Sequence, residues 1–360
     1  MKILLVTDPS PRKDGWGVYT RGLAAGLVAA GHEVVYPPEG LFAGPSSYLA
    51  NPLRSYRAAR KLARLVGESK PDVIHFAIEP YATVLPFLPR SIPPVVITAH
   101  GTYAYFPQLL RKGLRRALAR WMLTRAYIRA AKIICVSSYT RDALLAQVPM
   151  LAKKIDVIPN GVALAAEEIQ ARPRSGRAEF LLVGGVKARK GALEALETMA
   201  AYRQRYGSDF HFSIVGSLTD EPWYVERVRE RLKALQLEGL VDLAGLVSDE
   251  KREEYYKSAD AFIMLNISDG KEFEGFGLVY LEANAYGVPA LGASGTAAEE
   301  AIKEGISGFL VDAHDARAAA DALHRMVGSG ALRKGAREWA EAHSWEAIAA
   351  RYERVYNGLV

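Results

Sequence analysis

The chain alternates short apolar runs with longer stretches of helical periodicity along its whole length. The apolar runs are mostly continuous, which is typical of parallel strands that are covered on both faces. The predicted strands of the first half are 3–7, 33–36, 73–76, 95–98, 133–136 and 156–158, and those of the second half are 180–183, 211–215, 241–243, 261–265, 288–291 and 309–311. Helical stretches such as 18–30, 111–131 and 191–206 lie between them. This repeated order predicts two doubly wound α/β domains with parallel sheets.

The least apolar connector, 165–177, is the predicted boundary between the domains. We assign residues 1–165 to a first Rossmann-like domain and 166–343 to a second, followed by a last helix within 344–360 that begins at a Ser344 N-cap. Domains of this kind bind ligands outside the carboxyl ends of their strands. Two such edges facing each other are expected to form one deep cleft, so functional residues are expected in the turns that follow the strands.

Composition narrows the class of protein. Half of the 360 residues are apolar and 24% are charged, the balance of a globular chain with large cores. No apolar run reaches the ~18–20 residues of a membrane-spanning helix, and the start of the chain is predicted to be a strand rather than a signal peptide. The single cysteine, Cys135, excludes an internal disulfide framework and a Cys-based zinc site. We expect a cytoplasmic protein, free or peripheral on the membrane.

The net charge of +6 is divided unevenly between the two halves. Residues 1–165 hold 22 Lys and Arg against 9 Asp and Glu, a balance of +13, whereas residues 166–360 hold 24 against 31, a balance of −7. This asymmetry predicts that the first half faces an anionic partner, such as nucleic acid, a membrane surface or a phosphorylated acceptor. Nucleic acid is disfavoured because the sequence has no interleaved aromatic and basic pattern and no known binding module.

The stretch 274–282, Glu-Gly-Phe-Gly-Leu-Val-Tyr-Leu-Glu, carries the strongest candidate chemistry. Gly275 and Gly277 are predicted in a turn between a strand and a helix that starts at Leu278. Glycines there let backbone amides approach a ligand, and the first N–H groups of the helix, including that of Val279, point at it. The turn is therefore a predicted site for a diphosphate.

Two glutamates flank this turn. Glu274 precedes it and is placed to accept hydrogen bonds from sugar hydroxyls. Glu282 lies ~6 Å along the helix axis from Leu278 and is placed to accept bonds from both ribose hydroxyls. The alternative is a pair of solvated glutamates on an ordinary strand–helix unit.

Three cations follow the strand at 180–183, in the loop 184–191 of sequence Gly-Gly-Val-Lys-Ala-Arg-Lys-Gly. Lys187, Arg189 and Lys190 stand beside glycines at the carboxyl end of a strand. This pattern suits phosphate binding because Arg and Lys make charge-assisted hydrogen bonds to phosphate. The alternative is a basic surface turn.

Two further turns belong to the first half. His100 follows the strand 95–98 and is expected to point into the cleft, where it can donate a hydrogen bond to substrate or take part in proton transfer. A structural histidine is the alternative. Asp14-Gly15-Trp-Gly17 precedes a helix and offers a second glycine turn, although it lacks the spacing of the dinucleotide fingerprint.

A basic segment at 111–129 contains no acid. Its cations are Arg111, Lys112, Arg115, Arg116, Arg120, Arg125 and Arg129, and its apolar stripe is Leu110, Leu114, Leu118, Trp121 and Met122. Such a helix can lie on anionic lipid or hold the phosphates of a lipid-linked acceptor, and Tyr103 is assigned to the same acceptor side. The alternative is a core-packing stripe with a solvated basic back.

These motifs resemble those of the family 4 retaining glycosyltransferases over nearly the whole chain. Glu274 and Glu282 are similar to the family's E-x7-E signature, Lys190-Gly191 to its phosphate-loop Lys-Gly, and His100-Gly101 to its histidine after the fourth strand. Ile158-Pro-Asn-Gly161 and His343-Ser-Trp345 also resemble family features. The resemblance implies the GT-B fold of two facing Rossmann-like domains, with the last helix crossing back onto the first.

The resemblance also implies roles for these residues. The diphosphate of a nucleotide sugar would lie between Gly15 and Gly17, the cations Arg189 and Lys190, and the amides after Gly277. Glu282 would hold the ribose, Glu274 and His100 would orient the sugar, and the loop at Gly216 would contact the base. Those cations would make a metal or other cofactor unnecessary. Retention is attributed to front-face attack, with the leaving phosphate helping to deprotonate the acceptor, so we assign no protein nucleophile.

Within the family, the sequence is most similar to bacterial lipid-directed mannosyltransferases, such as those acting on phosphatidylinositol. This likeness favours GDP-mannose over UDP-sugars as the donor and a lipid, lipid-linked or other glycan as the acceptor. Three positions depart from the family pattern. Gly184-Gly185 replaces Gly-Arg, so Arg189 or Lys187 must supply the missing cation; Asp14-Gly15 replaces Gly-Gly; and Gly295-Thr-Ala-Ala-Glu299 replaces Gly-Gly-x-Pro-Glu.

Two other function classes remain open at this point. A GT-B enzyme such as a nucleotide-sugar epimerase would not transfer sugar to an acceptor, and product analysis without acceptor would reveal it. A non-catalytic, membrane-associated binding protein would use the basic helix alone. That reading leaves the presence of Glu274, Glu282, Lys190 and His100 together without a reason.

Overall fold

The computed structural model describes residues 1–8, 14–42, 44–48, 51–101, 113–165, 176–268 and 272–360. These residues form two compact units. Unit 1 comprises Met1–Gly161 together with Ser344–Val360, and unit 2 comprises Val162–His343. The division therefore falls at Gly161, at the end of the turn-rich segment that precedes the predicted boundary.

Unit 1 is built on a six-stranded parallel sheet in the order β2-β1-β3-β4-β5-β6. Its strands are β1 (Lys2–Val6), β2 (Glu33–Val35), β3 (Val73–Phe76), β4 (Val95–Ala99), β5 (Lys132–Cys135) and β6 (Ile155–Val157). Its first helices are α1 (Gly15–Ala29), α2 (Pro52–Ser69), α3 (Leu114–Arg129) and α4 (Ser138–Gln147), with 3-10 turns at Pro45–Tyr48, Glu79–Phe87 and Pro149–Lys154. The strand order reverses between β1 and β3, where ligands of such sheets bind.

Unit 2 has a second six-stranded parallel sheet, in the order β12-β11-β10-β7-β8-β9. Its strands are β7 (Ala178–Val183), β8 (Phe210–Val215), β9 (Val241–Gly245), β10 (Ala261–Met264), β11 (Ala290–Ala293) and β12 (Gly308–Val311). Its helices are α5 (Ala192–Tyr206), α6 (Pro222–Ala234), α7 (Asp249–Ser258), α8 (Leu278–Ala285), α9 (Ala298–Ala301), α10 (Ala316–Met326) and α11 (Gly330–Glu341), with a 3-10 turn at Ala188–Lys190. The order reverses between β7 and β10, so the loops after these two strands share the switch point.

The last helix, α12 (Trp345–Asn357), belongs to unit 1 and packs along α1. Ser344 caps it by accepting the Ala347 N–H at 3.2 Å. The Trp345 ring packs so closely against Gly22 and Gly161 that a side chain at either position would collide with it. A Cβ at Gly22 would lie 1.9 Å from the indole, and one at Gly161 would lie 2.5 Å from it.

Buried hydroxyl groups join α12 to the sheet of unit 1. The Tyr19 hydroxyl lies 2.9 Å from that of Tyr352 and 2.9 Å from Thr98 Oγ1. The Tyr356 hydroxyl lies 2.7 Å from Nδ1 of His75, whose Nε2 is 2.8 Å from Thr98 Oγ1. All five side chains are buried, and burial lowers the pKa of His75 to about 3. The network is therefore neutral at physiological pH, and its polar groups are paired as buried groups require.

Every one of the twelve predicted strands overlaps an observed one, which confirms the prediction of two doubly wound parallel sheets. The largest shift is at 288–291, because β11 starts at Ala290. The Pro289 carbonyl, just before it, accepts the Phe262 N–H at the edge of the ladder. In the described ranges, none of the helices is long and apolar enough to span a membrane.

Candidate functional site

The loop after β7 and the loop after β10 bring three charged side chains together in unit 2. Lys190 is only 8% exposed, and its Nζ lies 2.7 Å from Oε2 of Glu274. The Arg189 guanidinium donates to the same carboxylate oxygen. The two loops adjoin because β7 and β10 are neighbouring strands at the switch point. Residues far apart in the sequence thus form one cluster of two cations and one anion.

Backbone contacts hold these loops against each other. Gly191, which ends the 3-10 turn, has φ +70°, and a Cβ there would lie only 1.8 Å from the Leu265 carbonyl oxygen. Two residues before Gly191, the Arg189 carbonyl accepts the Ile267 N–H at 3.1 Å. A side chain at position 191 would force the loops apart, so this glycine is required for the approach of Lys190 to Glu274.

The cluster fixes the ionisation of Glu274. Burial acts to raise its pKa, but the positive charges of Lys190 and Arg189 outweigh burial and lower the pKa to about 2. For the Lys190 ammonium, burial is the largest effect and lowers the pKa, while Glu274 acts in the opposite direction. Glu274 is therefore a carboxylate throughout the physiological range, and its charge helps to keep the buried lysine protonated.

The structure identifies which cation adjoins Glu274 where the family arginine is missing. Lys187 turns to Asp220, with Nζ 3.0 Å from Oδ2, whereas Arg189 contacts Glu274. A Cβ at Gly185 would lie 2.8 Å from the Asp220 carboxylate, so a larger residue there would displace that side chain. Of the two candidates, Arg189 stands beside Lys190.

The turn before α8 is built as the glycine pattern predicted. Gly277 is the N-cap residue with φ +85°, and a Cβ there would lie 2.6 Å from the Tyr280 ring. Among the described residues no side chain caps this helix. The N–H groups of Leu278 and Val279, both half-buried, thus stand in the first turn, where helices leave their amides without internal partners.

Glu282 lies one turn further along α8 and is oriented by a neighbour that the sequence motifs did not reveal. The Tyr256 hydroxyl, from α7, donates to Glu282 Oε2 at 2.9 Å. Tyr256 is buried and stacks on Tyr286 with ring centroids 5.4 Å apart. No spacing rule connects Tyr256 to Glu282, because the contact depends on how α7 and α8 pack.

Gly216, in the loop predicted to contact the base, also has a structural role. Its φ is +153°, its N–H donates to the Gly245 carbonyl at 2.8 Å, and a Cβ would lie 2.0 Å from the Gly184 carbonyl oxygen. The N–H is therefore used inside the protein. The glycine allows the loops after β7 and β8 to close on each other.

In unit 1, His100 follows β4 and is half-buried. Its Nε2 lies 2.8 Å from the Ala77 carbonyl oxygen, and the edge of its ring meets Tyr19 at 4.4 Å between centroids. Because a carbonyl only accepts, Nε2 carries the proton and Nδ1 keeps its lone pair. Burial lowers the pKa of His100 to about 4, so the ring is neutral at physiological pH.

Glu79 is a second carboxyl group that sequence reasoning missed. It follows β3 and is fully buried, and it accepts the His100 backbone N–H through Oε1. Among the described residues its Oε2 has no hydrogen-bond partner. Burial raises the pKa of Glu79 to about 8, which makes it a neutral acid at pH 7. An acidic residue just after a strand, followed by proline, was the available signal.

The N-terminal glycine turn differs from its expected role. The Asp14 carboxylate caps α1 by accepting the Gly17 N–H at 3.0 Å. That amide is therefore already used, and the expectation that Gly17 donates it to a diphosphate is revised. Gly15 is exposed at the first position of α1, in a turn whose preceding residues 9–13 lie outside the described ranges.

The basic segment at 111–129 is only partly described, since Tyr103, Arg111 and Lys112 lie outside the described residues. Arg115 is exposed and Arg116 half-buried, as a solvated back would be.

The apolar side chains of α3 are divided between the core and the surface. Met122 and Leu123 are buried, while Leu114 is 85% exposed and Trp121 46% exposed. Arg129 differs from the expectation of a basic surface, because it donates to the carbonyls of Leu85, Leu88 and Pro89.

In the part of the chain that the structure describes, no three His, Cys, Asp or Glu side chains are grouped so that they could hold a metal ion. The charged cluster in unit 2 instead contains two cations and one carboxylate.

Two family models together match residues 13–347. "Glycosyltransferase Family 4" matches residues 13–166, and "Glycosyl transferases group 1" matches residues 166–347, half of the chain. The chain therefore belongs to the family 4 glycosyltransferases of the GT-B fold, and it is a glycosyltransferase.

Several relatives and solved structures are similar to the chain. The chain is 25% identical to a GDP-mannose-dependent alpha-(1-6)-phosphatidylinositol monomannoside mannosyltransferase of Mycolicibacterium smegmatis, over 99% of this chain and 98% of the relative. It is 28% identical to a phosphatidyl-myo-inositol mannosyltransferase of the same organism, over 82% and 74%. Among solved structures, sucrose-phosphate synthase of Thermosynechococcus elongatus aligns with TM-score 0.74 at 23% identity, covering 99% and 98% of the chains. Anabaena HepE, solved with UDP-glucose, aligns with TM-score 0.72 at 19% identity over the full length of both.

Proposed function

We propose that this glycosyltransferase moves a hexose from a nucleoside diphosphate sugar to a lipid, lipid-linked or other glycan acceptor, with retention and without a metal. The observation that carries the donor half is the convergence of Arg189 and Lys190 on Glu274 beside the start of α8. Relatives that cover the whole chain are named as GDP-mannose-dependent, which favours GDP-mannose as donor. HepE with UDP-glucose makes UDP-sugars the next candidates.

In this proposal the cations stabilise the leaving diphosphate. Negative charge develops as the bond between the anomeric carbon and the phosphate oxygen breaks, and two positive side chains with the first amides of α8 are suited to meet it. When phosphate oxygens take over the hydrogen bonds of Lys190 and Arg189, Glu274 is released to accept bonds from sugar hydroxyls. The protein then supplies the charge that a divalent metal supplies elsewhere.

We extend the proposal to the remaining contacts of the donor. Glu282, held by the Tyr256 hydroxyl, accepts bonds from the ribose hydroxyls. The neutral His100 ring offers Nδ1 as an acceptor to a sugar hydroxyl, since its Nε2 proton is used by Ala77. His100 is then a hydrogen-bond acceptor for the sugar, whereas the sequence suggested that it donates a hydrogen bond.

For retention, the acceptor oxygen bonds to the anomeric carbon on the face that the diphosphate leaves. The acceptor proton passes to the departing phosphate oxygen. Because the attack takes place on the front face and Glu274 accepts hydrogen bonds from the sugar hydroxyls in this proposal, no side chain is assigned as a nucleophile.

Thermal unfolding with GDP, UDP, GDP-mannose and UDP-glucose tests the donor. A nucleotide at 100 times its Kd stabilises the folded state by about 2.7 kcal/mol, so the true donor class raises Tm clearly. No shift with any of the four would contradict the proposal. Turnover that persists in excess EDTA supports metal independence, whereas its loss refutes it. Conversion of the donor sugar to an epimer without acceptor would identify an epimerase instead.

A further inference from the structure

Helix α2 places four cations on one side of unit 1, outside the basic segment that the sequence singled out. Its buried residues are Ser55, Ala58, Ala59 and Leu62. Its cations Arg54, Arg57, Lys61 and Arg64 are spaced by three or four residues, so they follow one another along the helix. Asn51 caps the helix by accepting the Arg54 N–H at 3.0 Å, which fixes the start of this row.

A cavity of about 580 Å³ lies between this row and the segment that follows β2. All four cations line it, together with the aromatic ring of Tyr48 and a single acid, the exposed Glu39. We call this cavity the α2 groove. Its volume is in the range of small-molecule sites, roughly 300–1,000 Å³, and is too small for a macromolecule.

Three of the four charges of the α2 groove have no ionic partner among the described residues. Arg57, Lys61 and Arg64 are exposed, and none of them forms an ion pair with a described residue. Elsewhere in the same unit, Lys132 pairs with Asp156 at 2.8 Å. Like charges three or four residues apart repel one another, so this row costs helix stability unless an anion compensates it.

Aromatic packing connects the α2 groove to the end of the sheet where His100 lies. The Arg54 guanidinium lies 4.7 Å from the Tyr48 ring centroid, and that ring meets Tyr81 edge-on at 5.5 Å. Tyr81 is two residues beyond Glu79, whose carboxyl group accepts the His100 N–H. The groove and His100 therefore share one packed layer of unit 1.

We propose that the α2 groove binds a phosphate group carried by the acceptor. Three arginines and a lysine suit phosphate because the guanidinium fork makes paired, charge-assisted hydrogen bonds to its oxygens. The Tyr48 ring is buried beneath the Arg54 guanidinium and therefore supports the wall of the groove from below. The assignment of this ligand as the acceptor rests on the proposed function, whereas binding of phosphate by the groove does not.

The experiment compares an Arg57→Ala/Lys61→Ala variant with an Arg90→Ala/Lys153→Ala control. Both variants remove one exposed arginine and one exposed lysine from unit 1, and only the first pair lines the groove. Binding is measured to phosphatidylglycerol vesicles by sedimentation and to soluble glycerol phosphate by calorimetry. We expect the groove variant to weaken binding roughly 25-fold, about fivefold for each cation, and the control to change it less than the groove variant does.

The probes separate the two sources of phosphate. Loss of glycerol phosphate binding in the groove variant supports a soluble phosphorylated acceptor. Loss confined to vesicles supports a lipid headgroup. Binding that is unchanged in the groove variant, equally reduced in both variants, or undetectable with the wild-type protein overturns the proposal.

Nucleotide-induced thermal stabilisation is measured on the same proteins. It should be equal in wild type and groove variant, so failure of the donor proposal is seen independently of failure at the groove.

Discussion

The Nζ of Lys190 lies 2.7 Å from the Oε2 of Glu274, across the switch point of the second sheet. Arg189 donates to the same oxygen, so one carboxylate contacts two cations. A diphosphate is the natural competitor for those cations, because it offers several anionic oxygens where Glu274 offers two. Under the proposed function, donor binding therefore exchanges a protein anion for a substrate anion.

Replacing Lys190 by Ala should lower turnover by about 10²–10³-fold, the usual cost of losing one group that stabilises developing negative charge. Lys187→Ala is the matched control, because this lysine contacts Asp220 rather than Glu274. The turnover of the control variant should fall far less. The measurement is kcat with saturating donor, with Tm as a check on folding. Similar losses in both variants would contradict the assignment.

The ion pairs of Glu274 should make stability depend on acid pH. Its pKa in the folded protein is lowered from 4.5 to about 2, so its contribution is present above pH 4.5 and is lost as the pH falls towards 2. The size of this contribution is on the order of 3 kcal/mol. Urea unfolding of wild type and Glu274→Gln at pH 6 and pH 3 measures it. If both proteins lose the same stability between these pH values, the ion pairs are not the cause.

Glu79 should show the opposite dependence. Its folded pKa is raised from 4.5 to about 8, so the folded state takes up a proton and stability falls as the pH rises from 4.5 to 8. Glu79→Gln keeps the acceptor for the His100 N–H and removes the ionisation. We expect the variant to gain on the order of 3 kcal/mol over wild type between pH 4.5 and pH 7. If the unfolding free energies of wild type and variant differ by a constant amount across this interval, Glu79 is not a neutral acid in the folded protein.

Gly191→Ala should destabilise unit 2 by about 3 kcal/mol or more. The substitution combines a positive φ with a Cβ 1.8 Å from the Leu265 carbonyl oxygen. Gly305→Ala separates the two effects, because Gly305 has the same φ of +70° but no atom within 4 Å of its Cβ position. The control should cost only about 1–2 kcal/mol. Denaturant unfolding measures the loss of stability in both variants. Equal losses would show that the loops around position 191 move apart to accommodate the added Cβ.

Tyr256→Phe should weaken nucleotide binding without affecting turnover at saturation. The change removes one hydrogen bond to the Glu282 carboxylate, at 2.9 Å, and keeps the ring that stacks on Tyr286. A bond to a charged group contributes about 1.5–3 kcal/mol, so the Kd for the nucleotide should rise by roughly 10–100-fold. Calorimetry with GDP or UDP checks this, and an unchanged Kd would exclude the orienting role.

The sequence predicted all twelve strands because continuous apolar runs are a strong signal for buried parallel strands. It also placed Lys190 and Glu274 in loops at one edge, since the carboxyl ends of parallel strands meet there. It could not predict that these side chains touch, or that Tyr256 reaches Glu282. The first contact depends on how two loops approach each other and the second on how α7 and α8 pack, and local sequence patterns encode neither.

Three other features of the structure differ from the sequence predictions or were not predicted. Arg129 was counted with the surface cations of its helix, but it donates to three backbone carbonyls at the end of the neighbouring 3-10 turn and just beyond it. The Gly17 amide was expected at a ligand and is instead used by the Asp14 cap. The row of cations on α2 was not singled out from the sequence, whereas the structure shows that all four cations line one cavity.

The hydroxyl network of Tyr19, Tyr352 and Tyr356 has a consequence for biosynthesis. The first unit to leave the ribosome lacks the helix that buries its own α1, because that helix is encoded at 344–360. Residues 162–343 form a contiguous unit and can fold as soon as they emerge. The order of completion is thus the reverse of the order of synthesis, and the N-terminal unit stays unfinished until translation has passed Tyr356.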